Sequence, residues 1–196
     1  SDGFYCYHIQ RRVSVWFSVR LADRMGANAA TGVDLIFGVA ATVLVLFDHW
    51  LWGVVMIQLF GIFSCVDGEI ARIQGCSSRI GDFLDTLTDR GTEMLLVGAI
   101  AFSLRDRVED SASVLTAGFS LLGGVFMLTT SSEKFRSAWQ KRYPKRRLEK
   151  LFGLICAGSD SRLLLLSIGL VVSDLTGNGS FLLWLLWALA AAAYVN

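Results

Sequence analysis

The chain has 196 residues, of which 54% are hydrophobic, with a single proline and a formal net charge of +1. A mean hydropathy of +0.53 is too apolar for an ordinary soluble domain. The near-zero charge excludes a global basic field, so no nucleic-acid partner is expected, whereas apolar residues gathered in long blocks point to helices in a lipid bilayer. The cysteines Cys6, Cys65, Cys76 and Cys156 form no C-x2-C pair, and His8 and His49 are far apart in sequence, which argues against zinc.

In chain order, residues 5–24 read as an amphipathic helix. Ile9, Val13, Trp16, Phe17 and Leu21 recur at three- and four-residue steps while Arg11, Arg12 and Arg24 project elsewhere. Its charge density predicts a helix in the membrane interface, the alternative being a soluble helix docked on a partner. Six spanning candidates follow, at about 31–47, 50–66, 81–104, 112–132, 161–174 and 180–195. The expected fold class is therefore all-α: an integral membrane bundle of six transmembrane helices preceded by an amphipathic interfacial helix. Residues 1–30 form the juxtamembrane segment and residues 31–196 one catalytic membrane domain.

Lysine and arginine set the orientation. The N-terminal segment holds Arg11, Arg12, Arg20 and Arg24, the connection between spans two and three holds Arg72 and Arg79, and the run 133–162 holds nine basic residues. Six spans put all three regions on one side. The opposite turns hold Arg105 and Arg107, diluted by Asp106, Glu109 and Asp110. The protein is expected in the plasma or inner membrane, with the N-terminal segment, the motif connection and the basic run 133–162 facing the cytoplasm.

The strongest local signal is DGEIARIQGCSSRIGDFLDTLTD at 67–89, spaced as Asp67-Gly68-x2-Ala71-Arg72-x8-Gly81-x3-Asp85-x3-Asp89. Carboxylates beside long apolar runs are expensive in lipid and are functional candidates by default. Asp85 and Asp89, four apart, share one helix face. Three convergent carboxylates suit a hard divalent cation, Mg2+ or Mn2+. The small residues Gly68, Ala71 and Gly81 permit close approach of a helix or a ligand. Taken singly, each aspartate reads equally well as a structural polar cluster; the fixed spacing favours function.

This pattern resembles the signature of the CDP-alcohol phosphotransferases, integral membrane enzymes that move a phospho-alcohol group from a CDP-alcohol to an acceptor hydroxyl and release CMP. The family pattern, Asp-x2-Asp-Gly-x2-Ala-Arg-x8-Gly-x3-Asp-x3-Asp, is matched from its second aspartate onward; Ser64 stands in the first aspartate's place. The resemblance implies Asp67, Asp85 and Asp89 as metal ligands, with Ser64 as the departed fourth, and Asp89 as the group that takes the proton from the attacking hydroxyl. Asp85 and Asp89 are thus the catalytic pair. It implies that Gly68, Ala71, Arg72 and Gly81 line the nucleotide side. Asn28 and Thr31 are similar to the family's Pro-Asn-x2-Thr at the start of the first span, with Ala27 replacing the proline. Lys134 and Arg136, after span four, are candidates for the acceptor's phosphate, or else snorkelling anchors. The basic run 141–150 reads as a lipid-headgroup anchor.

The opening SDGFYCYHIQRRVS is similar to the junction behind a soluble cytidylyltransferase domain in fused inositol-phosphate members of the family. The chain is therefore expected to be part of something longer, whose N-terminal cytidylyltransferase domain makes the CDP-alcohol donor. The implied acceptor is an alcohol or polyol phosphate, here an inositol phosphate; the alternative is a CDP-diacylglycerol-dependent phospholipid synthase. The family also implies a homodimer. Ser64 opens a further alternative, a catalytically impaired nucleotide-binding or scaffold homologue, unless Asp82 or Glu69 compensates for the missing charge. A small transporter fits less well, because the acids gather near one membrane face.

Overall fold

The computed structural model describes residues 5–76, 78–139 and 158–195, and among them the chain is all-helical. A π-helical turn at Cys6–Gln10 leads into α1 (Arg11–Leu21). It is followed by α2 (Ala27–Leu46), α3 (Trp50–Ile73), α4 (Arg79–Leu104), α5 (Ser111–Trp139), α6 (Ser159–Thr176) and α7 (Ser180–Val195). The basic run 141–150 lies outside the described residues.

Three described helices, α2, α3 and α5, are long and apolar enough to cross a membrane, and α7 is a shorter apolar helix. The other two of the six candidates miss for a chemical reason. α4 is long but carries Asp82, Asp85, Asp89, Arg90 and Glu93, and α6 carries Asp160, Arg162 and Asp174. Large apolar side chains stand outward on these helices: Trp52 is 67% and Trp184 74% exposed, the arrangement of a protein whose solvent is lipid.

The chain divides into two compact units, one built on residues 4–99 and one on residues 100–196. In the first, α2 and α3 pack together and α1 packs on α3. The three-residue turn between α2 and α3 closes on Asp48 at φ 62°, a left-handed position that aspartate tolerates better than most residues, so the two helices return antiparallel. Ala22, Ala30, Phe63, Val66 and Ile70 form a small core with Phe17, Leu21 and Phe37 against it. In the second unit α7 packs on α5 and α6. Glycines set these contacts: a Cβ on Gly124 would stand 2.9 Å from Ala193 Cβ, and one on Gly169 2.7 Å from Leu182 Cδ1.

The first helix turns a different face inward from the one its apolar period indicates. Gln10, Ser14 and Ser18 are buried, while Ile9, Val13 and Trp16 are exposed. Ser14 Oγ donates to Glu69 Oε1 at 2.9 Å and Ser18 Oγ to Glu69 Oε2 at 2.6 Å. Small hydroxyl residues let α1 lie close against α3, with Phe17 and Leu21 turned to the core and Ile9, Val13 and Trp16 left exposed.

Candidate active site

The motif's first half is helical. α3 runs on to Ile73, seven residues past the span end expected at 66, so Ser64, Asp67, Gly68, Ala71 and Arg72 lie on its last turns rather than in a loop. Ser64, Asp67, Gly68 and Ala71 follow one stripe at three- and four-residue steps. A Cβ on Gly68 would meet only the Arg72 guanidinium, at 3.4 Å, so no helix is packed there and the space suits a ligand. The helix ends in a Schellman turn: Cys76 N–H donates to Ala71 C=O at 3.0 Å and Gly75 N–H to Arg72 C=O at 3.3 Å, with Gly75 at φ 64°. Gln74 Nε2 donates to the carbonyls of Ala22 and Met25 at 2.7 and 3.0 Å, tying this end of α3 to the turn after α1.

The second half sits on α4. Ser78 caps that helix: its Oγ accepts from Gly81 N–H at 3.0 Å and its carbonyl accepts from Asp82 N–H. A Cβ on Gly81 would lie 3.2 Å from the same hydroxyl, so the glycine keeps room for the cap. Asp85 and Asp89 follow on one face, both half-buried.

Asp67 is 4% exposed and both its oxygens are held. Thr31 Oγ1 donates to Oδ2 at 2.7 Å, and Gly68 N–H donates to Oδ1 at 2.6 Å. Thr31, expected on the nucleotide side, orients a carboxylate. Asn28, one turn earlier on α2, is exposed. Ser64 Oγ donates to Asp89 Oδ1 at 3.1 Å, so the residue in the first aspartate's place belongs to the same neighbourhood without bringing its charge. Arg72 is exposed, and its charge acts on Asp67.

Sequence reasoning passed over Asp34. It lies on the buried stripe of α2 with Ala30, Gly38, Ala41 and Val45, is 1% exposed, and its Oδ1 has no hydrogen-bond partner. Asp34, Asp67, Asp85 and Asp89 are near enough for their charges to act on one another. The signal was present, since a lone acid inside an apolar span meets the same cost that singles out the other three.

Among the described residues no three His, Cys, Asp or Glu side chains are already drawn into a metal-holding group. Asp67 and Asp89 instead accept hydrogen bonds from Thr31, Gly68 and Ser64. The chemistry of the set nevertheless fits a hard divalent ion: the donors are all oxygen, most are carboxylate, and one buried oxygen lacks any partner. The two compensators for Ser64 expected from the sequence differ, since the charge of Asp82 acts on Asp85 whereas Glu69 is engaged elsewhere. Both Glu69 oxygens are taken by α1, and Asp82 is exposed on α4. Glu93, buried one turn beyond Asp89, is paired with Arg90 at 3.0 Å. Lys134 lies exposed near the end of α5 in the second unit, and the side chain of Arg136 lies outside what the structure describes.

Motif, buried acids and all-helical fold together define a class, and comparison with known proteins agrees with it. The family model for CDP-alcohol phosphatidyltransferase matches residues 24–192, and the chain belongs to that family. It is 29% identical over 161 residues to the bifunctional IPC transferase and DIPP synthase of Thermococcus kodakarensis, covering 77% of this chain and 36% of that protein. The chain thus spans little more than a third of the length of that curated relative. It is 39% identical over 64 residues to the phosphatidylinositol phosphate synthase of Corynebacterium glutamicum, covering 33% of this chain and 29% of that one. In fold it is similar to the phosphatidylinositol phosphate synthase of Mycobacterium tuberculosis solved with CDP-DAG bound. The TM-score is 0.73 at 20% identity, over 94% of this chain and 89% of that one. The same enzyme in complex with manganese and citrate matches with a TM-score of 0.72 at 20% identity, over 92% of this chain and 83% of that one.

Proposed function

We propose that this chain transfers a phospho-alcohol group from a CDP-alcohol to an acceptor hydroxyl, releasing CMP, at a divalent-metal site built by Asp67 of α3 and by Asp85 and Asp89 of α4. The observation that supports the reading is that these three acids, on the family's spacing, lie in one unit near enough for their charges to act on one another, with Asp67 held by Thr31 and Asp89 by Ser64. A bound Mg2+ or Mn2+ would offset charge on the donor diphosphate and acidify the acceptor hydroxyl. Asp85 and Asp89, one turn apart, converge by side-chain rotation alone. Gly68 and Ala71 would leave room for the nucleotide, and the exposed Arg72, whose guanidinium lies beside Gly68, would pair with phosphate.

In the reaction the acceptor oxygen forms a bond to the phosphorus that carries the alcohol. The bond from that phosphorus to the CMP oxygen breaks, and CMP leaves with the electron pair. The hydroxyl proton passes to Asp89. Ser64, donating to Asp89 Oδ1, would help to orient that carboxylate toward the hydroxyl. We assign an inositol phosphate as acceptor. The bifunctional relative and the phosphatidylinositol phosphate synthases point to two donors, CDP-inositol and CDP-diacylglycerol, and the longer coverage of the bifunctional relative favours the first. α2 to α7 cross the membrane as six spans, with α1 in the interface and the acids facing the cytoplasm. The support is that Arg105 and Arg107, the basic residues of the opposite turns, are paired with Asp106 at 3.2 Å and Asp174 at 3.6 Å.

The test is CMP release by protein in lipid nanodiscs supplied with inositol phosphate and either donor. CMP is expected with one donor, only with Mg2+ or Mn2+ present, and not from Asp85→Asn or Asp89→Asn. No CMP from either donor, with nucleotide still bound, would make the chain a binding homologue and end the reading.

A further inference from the structure

Losing the motif's first aspartate removes one charge from a site whose affinity rises with ligand charge. Ser64 brings a hydroxyl, and that hydroxyl is spent on Asp89. The acids near the site fall into two groups. Glu69, Glu93 and Asp82 are respectively bonded to α1, paired with Arg90 and exposed. Asp34 differs from all of them: it is 1% exposed, and among the described residues its Oδ1 is the sole buried carboxylate oxygen with no hydrogen-bond partner.

The backbone explains where Asp34 is aimed. Gly38, one turn further along the same stripe of α2, is the close-approach point: a Cβ there would overlap Thr92 of α4 and lie 3.2 Å from Phe60 of α3. Asp34 therefore enters between α3 and α4 one turn nearer the motif. The Asp89, Asp67 and Asp85 charges all act on it, Asp89 most strongly. A charged carboxylate buried among three others with a bare oxygen is costly unless a proton or a cation completes it, and a divalent ion completes all four acids at once.

We propose that Asp34 of α2 supplies the carboxylate ligand that the Ser64 position of α3 lacks. This assignment rests on the metal-site reading above and adds a third helix to the site. It also accounts for the two departures together: the acid missing from α3 reappears on the facing helix, within the same buried cluster.

The test is Mn2+ binding, read by titration calorimetry and by the electron paramagnetic resonance of free Mn2+, on the full chain in nanodiscs with CMP present. Wild type, Asp34→Asn, Asp85→Asn and the double variant Asp34→Asn with Ser64→Asp are compared. Asp34→Asn is expected to weaken binding about tenfold or more. The double variant, with the charge returned to α3, is expected to regain most of the loss, and Asp85→Asn to bind no Mn2+. Metal-free Asp34→Asn is expected to melt at or above the wild-type temperature, since one of four repelling charges is gone, while its gain in Tm on adding Mn2+ shrinks. Wild-type affinity in Asp34→Asn alongside loss in Asp85→Asn would overturn the proposal and leave the metal site standing. So would a double variant no better than Asp34→Asn, or a metal-free Asp34→Asn of lowered Tm that binds no Mn2+ with or without Ser64→Asp. Wild type that binds no Mn2+ would remove the metal reading and this proposal together.

Discussion

Asp67 is held at both carboxylate oxygens, by a hydroxyl from α2 and by the amide of the next residue. Such fixing sets the direction of a ligand before anything binds, and a hydrogen bond to a charged group contributes about 1.5–3 kcal/mol. Thr31→Val keeps the shape and removes the donor. It is expected to lower kcat/KM for CMP release by about ten- to a hundredfold, in line with that energy. Thr31→Ser restores the donor and most of the rate. Loss in Thr31→Ser with none in Thr31→Val would mean that the methyl group matters and the hydroxyl does not. Residue-scale roles were only partly legible. The three motif acids stand out by their spacing, but spacing along one segment says nothing about what a facing helix contributes. Asp34 and the Thr31 contact belong to α2, some thirty to sixty residues away in sequence, and pairing across helices is a property of the fold.

At the scale of elements, α3 decides the site. The apolar run ends at Val66, and a reader of hydropathy ends the span there, yet the helix continues to Ile73 because nothing before Gly75 breaks it. Polar residues at the end of a long apolar helix cost no helical propensity; they change only what surrounds the helix. Gly75 then stops it at φ 64°, a conformation that costs an L side chain about 1 kcal/mol or more. Gly75→Ala is expected to lower stability by about that amount, seen as a fall in Tm in micelles, and Gly75→Asn by less. Equal stability in both would place the helix end elsewhere. Gly38 is the tighter position: a Cβ there would overlap Thr92, so Gly38→Val is expected to reduce both folded yield and CMP release. The first helix shows the limit of periodicity. Its apolar stripe was legible, but only Phe17 and Leu21 of it reach the core, and Ser14 and Ser18 lie inward because they are small and find Glu69.

At the scale of the whole molecule, the all-helical class followed from composition and block length. Six spans are expected from the sequence; among the described residues three helices are long and apolar enough to cross a membrane, and the charge inside α4 and α6 sets those two apart. The six-span arrangement has its own check. In a variant whose cysteines are replaced by serine, single cysteines at Arg12 and at Asp110 are expected to be labelled from opposite sides of sealed vesicles. Labelling from one side would require an even number of crossings between them.

The central claim is that acids of α3 and α4 hold a divalent ion against the donor diphosphate. Anomalous diffraction from crystals grown with Mn2+ and CMP reads it directly. The account expects a manganese peak within coordination distance of Asp67, Asp85 and Asp89; a peak elsewhere, or none while CMP is bound, would contradict it.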